Sequence, residues 1–403
     1  MTAASALLRR SLASLGPFLG LVAVVMLFAY ATGDLGRLRR GDSADPVKFL
    51  SQGNIRNILN QSAIVGVVSV GMTLVIVGGG IDLSVGSLVA LSAVTVALAV
   101  DARFPATFTA KFVPTGMPAW LIAILVFALF LGVHYRATRR LEPPKTALWA
   151  IIWAAGCFAL AGKDAWTAAL GGAFVGLIFG HLNGLLIGTT GVAPFIVTLG
   201  AMGALRGVTE RLSGETKVNV ADIGKLMTDS PWLFNLMSAS DENAWLGIVT
   251  PSVWVLGSVA LVAGLLLNLT RLGRWILAVG ANEEAARLSG VPTAAVKLWM
   301  YSLAGLLAGI AGVLQFARLS SGDPAAGQGY ELDAVAAVVI GGGSLRGGEG
   351  SILGAILGTL LMGVLRNGCQ LLQYPTSLQS IIIGCIIVAA VTLDEMRHRN
   401  RRQ

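Results

Sequence analysis

Residues 165–188 read AWTAALGGAFVGLIFGHLNGLLIG and contain no Asp, Glu, Lys or Arg. A helix needs about 20 largely apolar residues to cross the ~30 Å hydrocarbon core of a bilayer, and this stretch is long enough. Within it Gly171, Gly172, Gly176 and Gly180 recur near helical spacing, as Gly354 and Gly358 do further along. Such stripes let helix backbones approach closely in lipid, where packing rather than hydrophobicity drives association. They suit a fixed helix–helix contact, and also a gliding one between moving helices.

Comparable runs lie on both sides. Stretches without Asp, Glu, Lys or Arg occur at 15–32, 58–78, 85–100, 119–133, 147–161, 192–205, 246–269, 298–316, 351–365 and 377–393, and the run 332–343 carries Asp333 alone. Together they amount to about ten to twelve bilayer crossings. Several are too short for a straight crossing, and Pro194 and Pro251 interrupt two, which predicts tilted, kinked or broken helices. Transmembrane barrels use roughly ten-residue segments of alternating polarity, unlike these continuous runs. The predicted fold class is all-α, a polytopic transmembrane helical bundle forming one domain over 1–403.

Composition agrees with this. Of 403 residues 55% are hydrophobic and 12% charged, against about 25% charged in soluble domains. The formal charge of +8 is spread between apolar runs rather than gathered on one module, which favours an anionic lipid surface over nucleic acid. The first run follows Arg9 and Arg10 as a signal peptide would, but it is longer than a usual signal core and reads as an uncleaved anchor. A bacterial plasma membrane location with both termini cytoplasmic is expected, on the basic tail Arg397, Arg399, Arg401 and Arg402 and on the polar loop described next. Cys157, Cys369 and Cys385 lie in apolar segments without ligand spacing and read as packing residues, and neither His134 nor His398 lies in a ligand pattern. No metal or other cofactor is expected. The Gly-Lys pairs beginning at Gly162 and Gly224 lack the upstream glycine and following Ser or Thr of a phosphate-binding loop, so the chain is not its own ATPase. Nothing forms a set of nucleophile, base and orienter, which argues against an enzyme.

Three segments between the runs are more specific. Residues 271–297 are the longest polar insertion in the C-terminal half, centred on Gly280, Ala281, Asn282, Glu283, Glu284, Ala285, Ala286, Arg287, Leu288, Ser289 and Gly290. The pattern encodes one short helix. Asn282 is a good N-cap, Glu283 and Glu284 face the positive end of the dipole, Arg287 lies toward the negative end, and Gly290 and Pro292 close it. So short a helix is not stable alone and must pack on its own membrane domain or on a partner.

The second segment runs from Gly78 through Gly79, Gly80, Ile81, Asp82, Leu83 and Ser84 to Gly86, and Asp82 is the only charge between Arg56 and Asp101. A carboxylate at the bilayer centre costs roughly 2.5–3.5 kcal/mol on insertion scales. Asp82 therefore either caps the next span from a helix end or serves a polar pathway or gate. The third segment leads from Glu331 and Asp333 into Gly341, Gly342, Gly343 and Ser344, then Gly347, Gly348 and Ser351. It repeats the pattern of the second, through internal duplication or through chance. Inside the runs, His181, Asn183, Gln315, Asn367 and Gln370 are uncharged polar side chains suited to interhelical hydrogen bonds or to a solute's route.

Together the three segments resemble the permease subunit of ribose- and xylose-type ATP-binding-cassette importers. The motifs are GGIDLSVG at 79–86, GANEEAARLSG at 280–290, ELDAVAAVVIGG at 331–342 and SLRGGEGS at 344–351. The similarity covers 54–100 and 165–393, while 103–164 stands outside it as an inserted two-span hairpin. The resemblance implies a permease homodimer that moves a monosaccharide by alternating access, driven by a separate cytoplasmic ATPase subunit and supplied by an extracytoplasmic sugar-binding protein. It implies that 271–297 is the cytoplasmic coupling loop, with Gly280, Asn282, Glu283, Glu284, Ala285, Ala286, Arg287 and Gly290 seated against the ATPase. Residues 207–243, rich in both charge signs, would be the extracytoplasmic loop that meets the binding protein. Asp82, Asn183, Gln315 and Asn367 are the gate or pathway candidates. Competing expectations are a permease for branched-chain amino acids or nucleosides, and an ion-coupled secondary transporter. The latter usually carries ionisable residues within its spans, where these runs have almost none.

Overall fold

The computed structural model describes residues 3–36, 48–101, 103–112, 152, 155–156, 159–160, 164–238 and 249–402. In chain order its elements begin with helices α1 (Ala3–Ala31), α2 (Gln52–Val77), α3 (Val85–Val100), α4 (Phe104–Phe112), α5 (Ala165–Thr190) and α6 (Pro194–Ser213), followed by strand β1 (Val218–Asn219). Then come α7 (Ile223–Asp229), α8 (Pro231–Asn235), α9 (Pro251–Leu269), α10 (Arg271–Ala281), α11 (Glu283–Leu288) and α12 (Thr293–Leu319). Strand β2 (Ser321–Gly322), α13 (Tyr330–Ile340), α14 (Ile352–Leu371) and α15 (Thr376–Arg402) complete it. The protein is an all-α polytopic bundle. Among the described residues α2, α5, α9, α12 and α14 are long and apolar enough to cross a membrane, and Gly16–Ala31, Val85–Val100 and Thr376–Ile386 are shorter apolar helices.

The helix boundaries follow local chemistry. Ser51 and Ser351 accept the backbone N–H of Asn54 and Gly354 to cap α2 and α14, and Asp164 accepts those of Trp166 and Thr167 to cap α5. Pro194 and Pro251 do not interrupt spans as expected. Each stands at the start of its helix, where the missing N–H has no intrahelical acceptor to lose. The run 332–343 is also not a crossing, because α13 has 11 residues, about 16 Å of helix. Residues 119–133 and most of 147–161, and with them most of the expected hairpin at 103–164, fall outside the described residues.

The chain divides into two compact units, Met1–Gly80 with Ser238–Asn282 and Leu332–Gln403, and Ile81–Met237 with Glu283–Glu331. In the second unit α5 and α12 lie antiparallel with their backbones in contact. A Cβ on Gly176 or Gly180 would overlap the main chain of Gly305 and Tyr301, and one on Gly184 would lie 2.8 Å from Leu298 Cα. Gly176 and Gly180 of the opening segment are therefore half of a helix–helix contact to which Gly305 and Gly309 supply the other half, whereas Gly172 faces Ser92 and Val96 of α3 and Gly171 faces Leu160. Gly305→Val should force the pair apart. Overpacking of this kind costs about 1–3 kcal/mol or more, so a fall in melting temperature and monodisperse yield is expected, and a wild-type melt would refute the contact. The same unit holds the β1–β2 pair, Val218 opposite Gly322 and Asn219 opposite Ser321.

In the first unit α13 lies along α14, with Gly354 against Gly341 and Gly358 against Ala337, while Gly363 of α14 meets Ser62 of α2. Phe28, Phe49, Ile58, Leu361, Met362 and Leu365 pack together there. Asp34 ties down the entry to α2, its carboxylate accepting the backbone N–H of Lys48, Phe49 and Leu50 at 2.7–3.0 Å.

Candidate functional site

The polar insertion 271–297 forms two helices, not one. Thr270 caps α10 by accepting Gly273 N–H at 3.1 Å, and a single extended residue, Asn282 at φ −162°, separates α10 from α11. Sequence reading missed α10 because its Trp275, Ile276 and Val279 look like an overrun of the preceding span. The buried residues of α10 are Gly273, Ile276 and Val279, at i, i+3 and i+6, which is the spacing of one helical face. Asn282 ends one helix and precedes the next, its N–H donating to Ala278 O at 3.1 Å.

Helix α11 is polar and almost wholly exposed. Of Glu283, Glu284, Ala285, Ala286, Arg287 and Leu288 only Ala286 is buried, and Leu288 is 78% exposed. Arg287 Nη2 meets Glu284 at 2.6 Å one turn away, and Lys297 Nζ of α12 meets Glu283 at 2.5 Å. Gly290 at φ +85° closes the helix, donating to Arg287 O, while Val291 donates to Ala286 O.

Within the first unit, residues of three of the four motifs meet. Gly348 N–H donates to Val77 O at 2.8 Å, and a Cβ on Gly280 would overlap that carbonyl and lie 2.6 Å from Gly348 N. Gly79, Gly347 and Gly348, at φ +81°, +84° and +76°, form the rest of this main-chain junction. Their conservation of space is backbone against backbone, which no spacing rule in the sequence could reveal.

The gate and pathway candidates separate into three places. Asp82 is fully buried, its Oδ1 accepting Ser84 N–H at 2.9 Å and Ser84 Oγ–H at 2.6 Å. Asn183 donates to Ser84 Oγ at 2.9 Å, so Asp82, Ser84 and Asn183 form one buried chain. Asp82 therefore does not cap α3 as expected: it accepts from the N-cap residue Ser84 itself, α3 has no side-chain cap hydrogen bond, and Oδ2 is unpartnered among the described residues. Tyr301 Oη lies 3.5 Å from Ile81 O, and Gln315 lies about 21 Å further along α12, where it accepts Tyr330 Oη–H at 3.2 Å. Asn367 exchanges two 2.8 Å hydrogen bonds with Asn54, clasping α14 to α2.

One pair escaped the sequence reading. Arg366 Nη2 contacts both oxygens of Asp333 at 2.7 and 2.8 Å, with the Asp333 side chain 3% exposed and that of Arg366 38% exposed. The apolar run ends one residue before Arg366, and Asp333 stood as part of a motif, so neither looked like an intramembrane charge. A lone acid on one apolar helix and a lone base on the next was the available signal.

Apolar helices long enough to cross a membrane, an exposed polar helix and buried polar groups between helices suit a membrane-transport subunit. The chain belongs to the family described as the branched-chain amino acid transport system / permease component, which it matches over residues 54–391. It is 37% identical over 349 residues to the ribose import permease protein RbsC of Escherichia coli (strain K12), covering 87% of this chain and 88% of that one. It is 32% identical to the D-allose transport system permease protein AlsC of the same organism, over 88% of this chain and 87% of the relative. With the xylose transport system permease protein XylH of that organism it shares 31% identity, over 94% and 91%. No solved structure matches the chain.

Proposed function

We propose that this protein is the membrane-spanning permease subunit of an ATP-binding-cassette importer for a monosaccharide. The family match supports the transport role, and the ribose, allose and xylose permeases among its relatives support a sugar over an amino acid. The protein works as a homodimer in the bacterial inner membrane with both termini cytoplasmic. A separate ATPase subunit seats against α11, and an extracytoplasmic sugar-binding protein meets the opposite face around 207–243. That region is not a plain loop, since it holds the end of α6, β1, α7 and α8.

The observation that carries the coupling role is the exposure of α11. A six-residue helix with one buried side chain gains little from its own unit, and isolated helices that short are marginal in water. Its exposed Leu288, Glu284 and Arg287 offer an apolar contact and charges to a partner. The Glu283–Lys297 pair fastens it to α12, through which a push on α11 reaches the α5–α12 contact. Arg287→Glu removes the pair with Glu284 and places a third carboxylate on the helix. In nanodiscs it should insert normally but retain at least tenfold less ATPase on co-purification, with a matching loss of uptake. Wild-type ATPase retention by a stable mutant would overturn this seat.

A further inference from the structure

A cavity of about 440 Å³ in the second unit lies between the C-terminal half of α6 and the segment after β2, lined by Arg206, Glu210, Glu215, Pro324, Ala325 and Gln328. Ligand pockets commonly span about 300–1,000 Å³. Its position is informative. Gly322 packs on Val94 and Ala97 of α3, whereas Gly327 packs on Gly86 and Val89. The chain between them therefore runs back along α3 for about 12 Å, beside a helix whose residues from Val85 to Ala99 are all buried. Irregular backbone at membrane depth is tolerated where protein covers it or where it lines a water-filled cavity. The 27 residues of α12 measure about 40 Å, longer than the ~30 Å hydrocarbon core. The cavity is lined by the segment that follows the C-terminal end of α12, whereas α11 precedes the N-terminal end of that helix.

The polar groups around it are held but unspent. Arg206 Nη1 donates to Pro324 O at 2.5 Å and Ala326 O at 3.2 Å, which fixes the guanidinium across the cavity and leaves its Nε and Nη2 hydrogens over. Among the described residues the side chains of Glu210, Glu215 and Gln328 have no hydrogen-bond or ion-pair partner. The nearby charges Lys217 and Asp323 satisfy each other at 3.2 Å.

We propose that this cavity is a weak binding site for a polyhydroxylated solute, entered from the extracytoplasmic side. The inference rests on the monosaccharide reading above and adds a place where this chain itself holds the sugar. Guanidinium and amide N–H groups donate while the two carboxylates accept, and vicinal hydroxyls, which both donate and accept, satisfy both kinds at once. A cation would meet the carboxylates but also the fixed charge of Arg206. Among the described residues no aromatic ring lines the cavity to stack on a sugar, so binding is weak, as it must be at a site the solute has to leave.

The test uses the full importer in proteoliposomes with a panel of aldopentoses and aldohexoses that includes ribose, xylose and allose. In the double variant Glu210→Gln/Glu215→Gln, uptake at saturating loaded binding protein should fall at least tenfold while the ATPase co-purifies at wild-type levels. Saturation-transfer NMR of the transported sugar on the permease alone should weaken in parallel, and Gln328→Leu provides a second reading if the double variant folds poorly. Unchanged uptake and NMR signal would overturn the site and leave the transport reading standing. Loss of binding-protein association with the sugar signal intact would overturn it in favour of a contact for a basic residue of that protein. Wild-type complex that takes up no sugar of the panel would sink the monosaccharide reading, and this inference with it.

Discussion

Gly280→Val should leave almost no folded, transport-competent protein. The Cβ would overlap the Val77 carbonyl and crowd Gly348 N, which are main-chain atoms that already share a hydrogen bond. Neither can swing aside as a side chain would. Relief requires moving the end of α2 or the turn at Gly347 and Gly348, which sit at positive φ with the main chain of Gly280 and Ala281 packed against them. Gly290 in the same motif makes the contrast: its φ is +85° but nothing lies within 4 Å of a Cβ there. Gly290→Ala should therefore cost only the strain of a left-handed residue, about 1–2 kcal/mol, and retain most of the protein. Monodisperse yield and melting temperature in detergent decide between them, and equal behaviour of the two variants would refute the junction.

Arg366→Ala should destabilise the first unit by about 3–5 kcal/mol, the usual cost of stripping one partner from a buried ion pair. Asp333 is left almost fully buried with no cation against its two oxygens. Asp333→Ala should cost less, because the Arg366 side chain is 38% exposed and can be solvated in part. The double variant Asp333→Leu/Arg366→Met should recover much of the loss, since well-packed apolar residues often replace buried pairs at little cost. A thermal-melting cycle across the four proteins measures this, and strict additivity of the two single effects would show that the pair is not coupled.

The all-α membrane fold was legible because hydrocarbon imposes length and polarity on every crossing, and α2, α5, α9, α12 and α14 satisfy both by composition. The short polar helix was legible for the same local reason, with acids at its start, a base at its end and Gly290 to close it. What failed were readings that depended on surroundings. Pro194 and Pro251 looked like breaks within apolar runs, yet they begin helices. The candidate polar residues looked like one set, yet Asn367 clasps Asn54 and Gln315 lies far along α12 from Asp82. Arg366 was invisible because a charge at the end of an apolar run resembles a loop residue until Asp333 is placed against it.

By itself, the sequence determined the class of solvent, the helical character of the spans, the presence of a short polar helix at 283–288 and the family. These depend on composition, hydrophobic length and residues adjacent in the chain. Only the tertiary structure decided which glycines meet, which charges neutralise one another and where a polar cavity opens. Those outcomes are contacts between residues tens to hundreds of positions apart, such as Gly280 with Val77 or Arg206 with Pro324. Their energies come from close packing and fixed hydrogen-bond geometry, which chain order does not record.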